Sequence, residues 1–435
     1  MNSKAVPNTS LKLITLKIDS AAGHGVLIAT ALAFILFAYF AAKWGFANTA
    51  SVRADLPEIA ELTVQLAPGD PQTHYALAVL LEKSFDADDL TRALTEYETA
   101  AALAPHNYLL WLSLGRARER SGDADGAERA IRRAYELAPN YSRVQWAFGN
   151  TLLRHGKTDE AFAEIRKAVD GDDAFTNAAA TTAWQIFDGN LEQVRSALGD
   201  SARLNGSLAT LLAVQKRYEE AAAIWASLPA AEKNGPLAET GKLLLQKFIE
   251  ARQFRLAVVI DAEIKVENPE PAEIGKISNG GFESALKLQN AGVFEWQLGT
   301  GQQPQIAPTN GQKHNGSNSL VLIFNTTSSL DFRPVSQTVA VEPGKTYQFE
   351  AFYRSDLKTN AAFKWEIVFS YDGKVIAATN STAAKADWTA MTAKFTVPAE
   401  ADGIIVRLAR ENCASPACPV VGNLWFDDLR LTPVN

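Results

Sequence analysis

The dipeptide Ala-Pro closes three stretches of helix-forming sequence in the first third of the chain, at Pro68, Pro105 and Pro139. The last two prolines are 34 residues apart, and the first two are 37 residues apart. Sequences that repeat with a period of about 20 to 50 residues fold into stacked units, because each unit buries its apolar face only against its neighbours. The spacing therefore predicts an array of antiparallel helix pairs.

Between Pro105 and Pro139, small and large residues occupy fixed positions. Gly115 and Ala127 are small where two antiparallel helices would cross, and the turn "SGDADGA" supplies Gly and Asp for the reversal. This segment resembles the tetratricopeptide repeat. The matching positions are Trp111, Leu114, Gly115, Ala127, Ile131 and Ala134.

The resemblance implies an all-α solenoid of five or six helix pairs over residues 52–266, in which residues 178–189 follow the pattern least well. A solenoid exposes a long concave surface, so the implied partner is a protein bound in the repeat groove. His74, His106 and His155 lack the spacing of a metal or catalytic site, and we expect them to be ordinary surface residues.

An apolar segment precedes the repeats. Residues 26–46 read "VLIATALAFILFAYFAAKWGF", with no charge before Lys43. This length suits a single transmembrane helix, and a cleaved signal peptide is the alternative. The preceding residues 1–25 contain Lys4, Lys12 and Lys17, a modest excess over Lys43 and Arg53 after the segment, which predicts that residues 1–25 lie in the cytoplasm. We expect a single-pass protein of a bacterial inner membrane, with most of the chain in the periplasm.

Charge and cysteine content narrow the function. The formal net charge is −7, so the chain lacks the basic patch of a nucleic-acid-binding protein. Its two cysteines, Cys413 and Cys418, lie in "CASPAC", a spacing that suggests neither zinc nor haem. They form a local disulfide or remain two free thiols, and a location outside the cytoplasm favours the disulfide.

The composition changes abruptly after residues 267–274, "ENPEPAEI", which predict a stiff proline-containing linker. The following residues 275–435 are rich in Gly, Asn, Thr, Val and Phe, and contain eight or nine short strand patterns separated by turns such as "EPGK" and "YDGK". This pattern predicts an all-β sandwich. The expected protein is therefore multidomain: a transmembrane helix, a helical solenoid and a β-sandwich.

The order of motifs in residues 275–435 resembles the carbohydrate-binding modules of families 4 and 9, which are galactose-binding-like jelly rolls. The motifs are "NGGFE", Trp296, "VSQTVAVEPGKTYQFEAFYRS", "DWTAMTAKFTVPA" and "LWFDDLRL". The resemblance implies a jelly roll whose first and last strands are adjacent, and a polysaccharide as the ligand. It also implies that Trp296 and Trp388 pack in the core.

The same resemblance implies a structural calcium ion held by Glu283 of "NGGFE" and Asp427 of "WFDDL". Carboxylate oxygens are ligands that calcium prefers. The alternative is that the two carboxylates cap turns or pair with Lys or Arg, because two acidic residues far apart in sequence do not by themselves specify a metal.

Sugar binding requires aromatic rings that stack on a pyranose and polar groups that bind its hydroxyls. We expect Trp365 to be the stacking platform, Tyr353 a second aromatic wall and Arg354 a hydroxyl or carboxylate partner. Adjacent strand residues face opposite sides, so Tyr353 and Arg354 can both reach a ligand only near a bulge or strand end.

Two functions follow from these patterns. The first is a membrane-anchored, non-enzymatic adaptor in polysaccharide assembly or export, whose repeats bind a protein and whose jelly roll binds a glycan. The second is a protein-interaction scaffold whose jelly roll does not bind sugar. An enzyme is disfavoured because a glycosidase needs two carboxylates about 5 to 10 Å apart in a cleft, and Asp427 and Asp428 are adjacent in a strand.

Overall fold

The computed structural model describes residues 19–84, 86–264, 271–328, 332–411, 413 and 417–434. The chain divides into two compact units, residues 1–175 and 176–435. The division falls at the edge of residues 178–189, the stretch in which the repeat pattern is weakest. Part of the predicted linker, residues 265–270, and the predicted cytoplasmic residues 1–18 lie outside the described residues.

The first helix, α1, spans Ala21–Arg53 and contains the predicted membrane segment. It is long and apolar enough to cross a membrane, and its apolar stretch is exposed. A signal sequence shares this length and composition, so these features alone do not distinguish the two predictions. The end of the helix belongs to the first repeat, because Ala47 and Ser51 are buried and Asn48 donates a hydrogen bond to Asp70 (2.7 Å).

Within the described residues, seven further helices complete the first unit, and six of them pack as three consecutive pairs, as the repeat pattern predicts. Asp70, Asp86, Asn107 and Asp123 cap four of them by accepting main-chain N–H groups, which satisfies donors that a helix N-terminus leaves free. The helices are α2 (Pro57–Leu66), α3 (Pro71–Glu82), α4 (Ala87–Leu103), α5 (Tyr108–Arg120), α6 (Ala124–Leu137), α7 (Ser142–Arg154) and α8 (Thr158–Gly171).

The predicted crossing of α5 and α6 shows why the repeat needs a small residue. Gly115 of α5 lies so close to Ile131 of α6 that a Cβ atom at position 115 would overlap the isoleucine side chain. Ala127 and Ala134 of α6 are also fully buried at this contact surface. Small residues therefore set the distance between the two helices.

Within the described residues, the second unit begins with seven helices and ends with the β-sandwich. Helix α15 (Phe254–Ile264) packs directly against the sandwich: the main-chain N–H of Arg255 donates to Asp402 (2.9 Å), and the buried ring of Phe254 contacts Gly403. The helices are α9 (Thr176–Ile186), α10 (Leu191–Leu198), α11 (Ala202–Val214), α12 (Tyr218–Ser227), α13 (Ala230–Lys233), α14 (Ala238–Glu250) and α15 (Phe254–Ile264).

Eleven antiparallel strands form the sandwich within the described residues. One sheet has the order β1-β4-β10-β7-β8, and the other has the order β2-β3-β11-β5-β9, with β6 also paired to β11. The short strands β1, β2 and β6 were not predicted. The strands are β1 (Gln297–Leu298), β2 (Gln305–Thr309), β3 (Ser319–Ser328), β4 (Val335–Ala340), β5 (Thr346–Ser355), β6 (Lys358–Thr359), β7 (Phe363–Phe369), β8 (Val375–Ala378), β9 (Lys385–Thr396), β10 (Gly403–Arg410) and β11 (Ala417–Pro433).

The opening motif "NGGFE" packs along β11, although it does not itself form a strand. The main-chain N–H of Leu429 donates to the carbonyl of Gly280 (3.0 Å), and a side chain at position 280 would overlap the carbonyl oxygen of Leu429. Phe282 inserts between the sheets and is fully buried. The glycine therefore allows the start of the domain to lie against its last strand.

Candidate functional site

The structure places two of the three predicted sugar-binding residues in the core. Trp365 is 0% exposed, and its ring packs against Phe426 (5.2 Å between ring centroids) and Trp296 (5.8 Å). Tyr353 is 5% exposed, and its hydroxyl accepts the main-chain N–H of Ala383 (3.2 Å). The predictions that Trp365 is a stacking platform and Tyr353 a second wall are therefore wrong.

Strand periodicity explains this correction. Alternate residues of β5 point to opposite faces, so burial of Tyr353 brings Arg354 and Phe352 to the outer face of the six-stranded sheet. Trp425 of β11 lies on this face, directly opposite Arg354 in the ladder. The guanidinium carbon of Arg354 lies 5.9 Å from the centroid of the Trp425 ring. Both side chains are partly exposed.

Two more rings extend this surface. The imidazole of His314 stacks on Phe352 (3.8 Å between centroids, 14° between planes) and meets Trp388 edge-on (5.8 Å, 60°). Trp388 is partly exposed, so the expectation that it packs in the core is wrong, whereas Trp296 is buried as predicted. We call this surface the outer aromatic face, and its members are Trp425, Arg354, Phe352, His314 and Trp388.

Hydrogen bonds fix the polar groups of the outer aromatic face. Arg354 donates to the side-chain oxygen of Gln312 (2.5 Å), and Nδ1 of His314 lies 2.6 Å from a carboxylate oxygen of Asp428. Gln312 and His314 belong to the loop between β2 and β3. The face therefore combines aromatic rings with fixed hydrogen-bonding groups, which is the combination that binds sugars.

The predicted metal ligands hold this same loop. Asp427 accepts the main-chain N–H groups of His314 (2.7 Å) and Asn315 (3.1 Å). Glu283 accepts those of Ser317 (2.8 Å) and Asn318 (3.2 Å). The two carboxylates, which are distant in sequence, therefore converge on residues 314–318 and position the imidazole of His314.

The carboxylates of Glu283 and Asp427 supply the type of oxygen ligand that calcium prefers. Burial raises the pKa of Asp427, although main-chain hydrogen bonds from Asn315 and His314 act in the opposite direction. A cation beside this carboxylate would favour its charged form. Calcium takes about six to eight oxygen ligands. Among the described residues, no group of three or more acidic, His or Cys side chains is placed to hold a metal ion, so main-chain carbonyls and water would complete the shell.

Cys413 and Cys418 form a disulfide that connects the end of β10 to the start of β11. Arg410 of β10 donates to the carbonyls of Cys418 (2.9 Å) and Ser328 (3.0 Å), which ties the same corner to β3. Residues 414–416, inside the disulfide loop, lie outside the described part of the chain. The disulfide belongs to the frame of the sandwich rather than to the outer aromatic face.

Comparison with known families agrees with this architecture. Residues 275–414 match the model of a carbohydrate binding domain, and residues 85–142 and 114–179 match that of the tetratricopeptide repeat. The chain carries tetratricopeptide repeats and a C-terminal carbohydrate binding domain. Both domains are non-catalytic in kind: the repeats indicate protein interaction and the binding domain indicates carbohydrate recognition. Among curated proteins, none matches the chain in sequence.

Several solved structures are similar to parts of the chain. One, described as "CBM4 structure and function", is 16% identical and aligns over 36% of this chain and 99% of its own (TM-score 0.28). A second structure contains the CBM22-1–GH10 modules of Clostridium thermocellum xylanase 10B in complex with xylohexaose. It is 17% identical and aligns over 37% of this chain and 29% of its own (TM-score 0.27). MamA from Desulfovibrio magneticus RS-1 is 15% identical and aligns over 42% of this chain and 92% of its own (TM-score 0.28).

Trp425, Phe352 and His314, which belong to the outer aromatic face, were not predicted from the sequence as candidate site residues. Phe352 and Trp425 each alternate with buried neighbours in "FEAFYRS" and "LWFDDLRL", so the alternation signalled two faces. It did not indicate which face was the core. His314 lies in a loop without a motif of its own, and only the hydrogen bonds from the loop to Asp427 bring it to the sheet.

Proposed function

We propose that this protein is a membrane-anchored, non-enzymatic adaptor of polysaccharide assembly or export in the bacterial inner membrane. Its helical repeats recruit a protein partner, and its carbohydrate binding domain binds a glycan through the outer aromatic face. The observation that carries the proposal is the row formed by Trp425, Arg354 and Phe352 beside His314 and Trp388, on a domain that matches a carbohydrate-binding family.

The physical argument rests on what this face can bind. A pyranose presents an apolar C–H face that stacks on aromatic rings, while its hydroxyls need donors and acceptors at the edge. Trp425 and Trp388 supply partly exposed rings, and Arg354, Gln312 and Asp428 supply polar groups. A protein partner would also fit an aromatic surface, so a direct binding experiment has to separate the adaptor from the scaffold.

The test is a glycan-array screen of the full chain in detergent, followed by affinity measurement on each glycan that binds. Binding of a defined polysaccharide supports the adaptor. If no glycan on a broad array binds and the protein still melts cooperatively, the carbohydrate binding domain serves as an assembly surface and the scaffold function replaces the adaptor.

The anchoring part of the proposal predicts a topology. The lysines Lys4, Lys12 and Lys17 precede α1, and positive charges remain on the cytoplasmic side of a span. An alkaline phosphatase fused after Asn435 should therefore be active in a bacterial host. The same reporter fused after Ser20, before the helix, should be inactive. An inactive fusion at Asn435 that is expressed at a normal level would contradict a periplasmic location.

We also propose that calcium binds between Glu283 and Asp427. A ligand that binds only the folded state stabilises it, by about 2.7 kcal/mol at a concentration 100 times its Kd. Adding EGTA to the full chain should lower the melting temperature, and CaCl2, but not MgCl2, should restore it. Glu283→Gln is the matched control, and its melting temperature should be the same with EGTA as with CaCl2. If EGTA does not change the melting temperature of the wild-type protein either, the two carboxylates act only as hydrogen-bond acceptors for main-chain N–H groups of residues 314–318.

A further inference from the structure

Arg354 occupies the centre of the outer aromatic face. It lies opposite Trp425 in the ladder between β11 and β5, and it is two residues from Phe352 on the same strand face. Its guanidinium carbon lies 5.9 Å from the centroid of the Trp425 ring, and one of its nitrogens donates to the neutral side chain of Gln312 (2.5 Å). A guanidinium carries five N–H donors in a planar fork, so this bond leaves most of them available.

The carboxylates around Arg354 are already engaged by other groups. Asp428 binds the imidazole of His314 (2.6 Å), and Glu350 binds Arg430 (2.5 Å). Asp356 accepts the main-chain N–H of Asn423 (2.6 Å). Within the described residues, Arg354 forms no ion pair with a carboxylate, although most of the arginines described in the sandwich have one or bind carbonyls.

A partly buried cation without a counter-ion is stabilised most by an anionic ligand, because an ionised partner roughly doubles the strength of each hydrogen bond. A neutral sugar hydroxyl can be bound equally well by an amide or a lysine. Two parallel N–H groups of an arginine match the two oxygens of a carboxylate, which a hydroxyl does not offer. The arrangement beside Trp425 therefore suits a sugar ring that carries a carboxylate.

We infer that the glycan recognised at the outer aromatic face contains uronic acid residues, whose carboxylates bind Arg354 while the sugar ring stacks on Trp425. This inference rests on the proposed function, because it names the class of glycan that the same face binds. Charge and stacking act on one residue of the polymer, so a uronate is preferred over a neutral sugar of the same size and linkage.

The test uses pairs of polysaccharides that differ only in the carboxylate. Polygalacturonate, alginate and hyaluronan are each compared with their carboxyl-reduced forms, in which the carboxylate has become a primary alcohol. The full chain should bind at least one acidic polymer about tenfold or more tightly than its reduced form, since a charge-assisted hydrogen bond contributes about 1.5 to 3 kcal/mol. Arg354→Gln should remove this preference, so that the variant binds the acidic polymer and its reduced form with equal affinity.

Two further variants separate a specific contact from general attraction. Arg354→Lys keeps the charge but loses the planar fork, so it should retain only part of the preference. Lys394→Gln removes an exposed cation from β9 of the same sheet and should leave the preference intact. If Lys394→Gln lost the preference for the acidic polymer to the same extent as Arg354→Gln, the preference would result from diffuse electrostatic attraction and the inference would be wrong.

The outcomes also distinguish this inference from the proposed function. If acidic and reduced polymers bind equally, the protein binds glycans but the uronate inference is wrong. If neither form of any polymer binds, and the wider array is also negative, the proposed function itself fails. Melting temperatures of the three variants, measured alongside, confirm that each comparison is made on folded protein.

Discussion

Replacing Trp425 with alanine is expected to weaken glycan binding by about fivefold or more, without unfolding the carbohydrate binding domain. Trp425 is partly exposed and its ring lies beside Arg354 on the outer aromatic face. Loss of one stacked aromatic ring removes on the order of 1 kcal/mol of binding free energy, which corresponds to about a fivefold change in Kd. The affinity is measured on whichever glycan binds the full chain.

The controls for Trp425→Ala separate stacking from loss of apolar surface. Trp425→Phe keeps a ring and should retain part of the affinity. Tyr371→Ala removes an aromatic residue that is 67% exposed, just beyond β7 of the other sheet, and should leave the affinity unchanged. An unchanged affinity in Trp425→Ala would show that the glycan binds elsewhere on the domain.

Replacing Trp365 with alanine is expected to destabilise the β-sandwich by about 3 to 5 kcal/mol, because it leaves a large cavity between the two sheets. The side chain is fully buried and contacts the rings of Phe426 and Trp296. Domain stabilities are only about 5 to 15 kcal/mol, so this loss brings the sandwich close to unfolding. Hydrogen exchange of peptides from β10 in the full chain measures the change within this domain.

Trp365→Phe is the matched control. The indole N–H of Trp365 is buried and has no hydrogen-bond partner among the described residues, so phenylalanine removes an unsatisfied donor while filling much of the volume. We expect a smaller loss of protection than in the alanine variant, and unchanged glycan affinity. Normal protection together with lost glycan affinity in Trp365→Ala would return Trp365 to the binding site.

The candidate site was predicted only in part, for reasons visible in single strands. In β5, period-two alternation correctly separated Phe349, Ala351 and Tyr353 from their neighbours. Both sets contain aromatic residues, so hydrophobicity did not reveal which set faced the opposite sheet. The buried set is the one that meets Trp365 across the sandwich, and this contact exists only after two sheets have packed.

For Glu283 and Asp427, in contrast, the sequence identified the residues that meet in the structure. The sequence placed both carboxylates in motifs that resemble those of a known family, and in the structure they converge on one loop. The resemblance named the residues, but it did not name the main-chain groups that they bind. Those contacts depend on residues 314–318, whose conformation is set by the carboxylates themselves.

The sequence by itself determined the order of the parts: an apolar helix, repeats with a 34-residue period and a β-sandwich that begins after a change in composition. These features follow from local periodicity and from residue size, which act over a few neighbouring residues. The tertiary structure alone decided which face of the six-stranded sheet is exposed and brought Trp425, Arg354 and His314 together. Residues from three distant segments meet there because burial of the opposite face fixes the register of β5 against β11, and a one-residue shift would reverse every side chain.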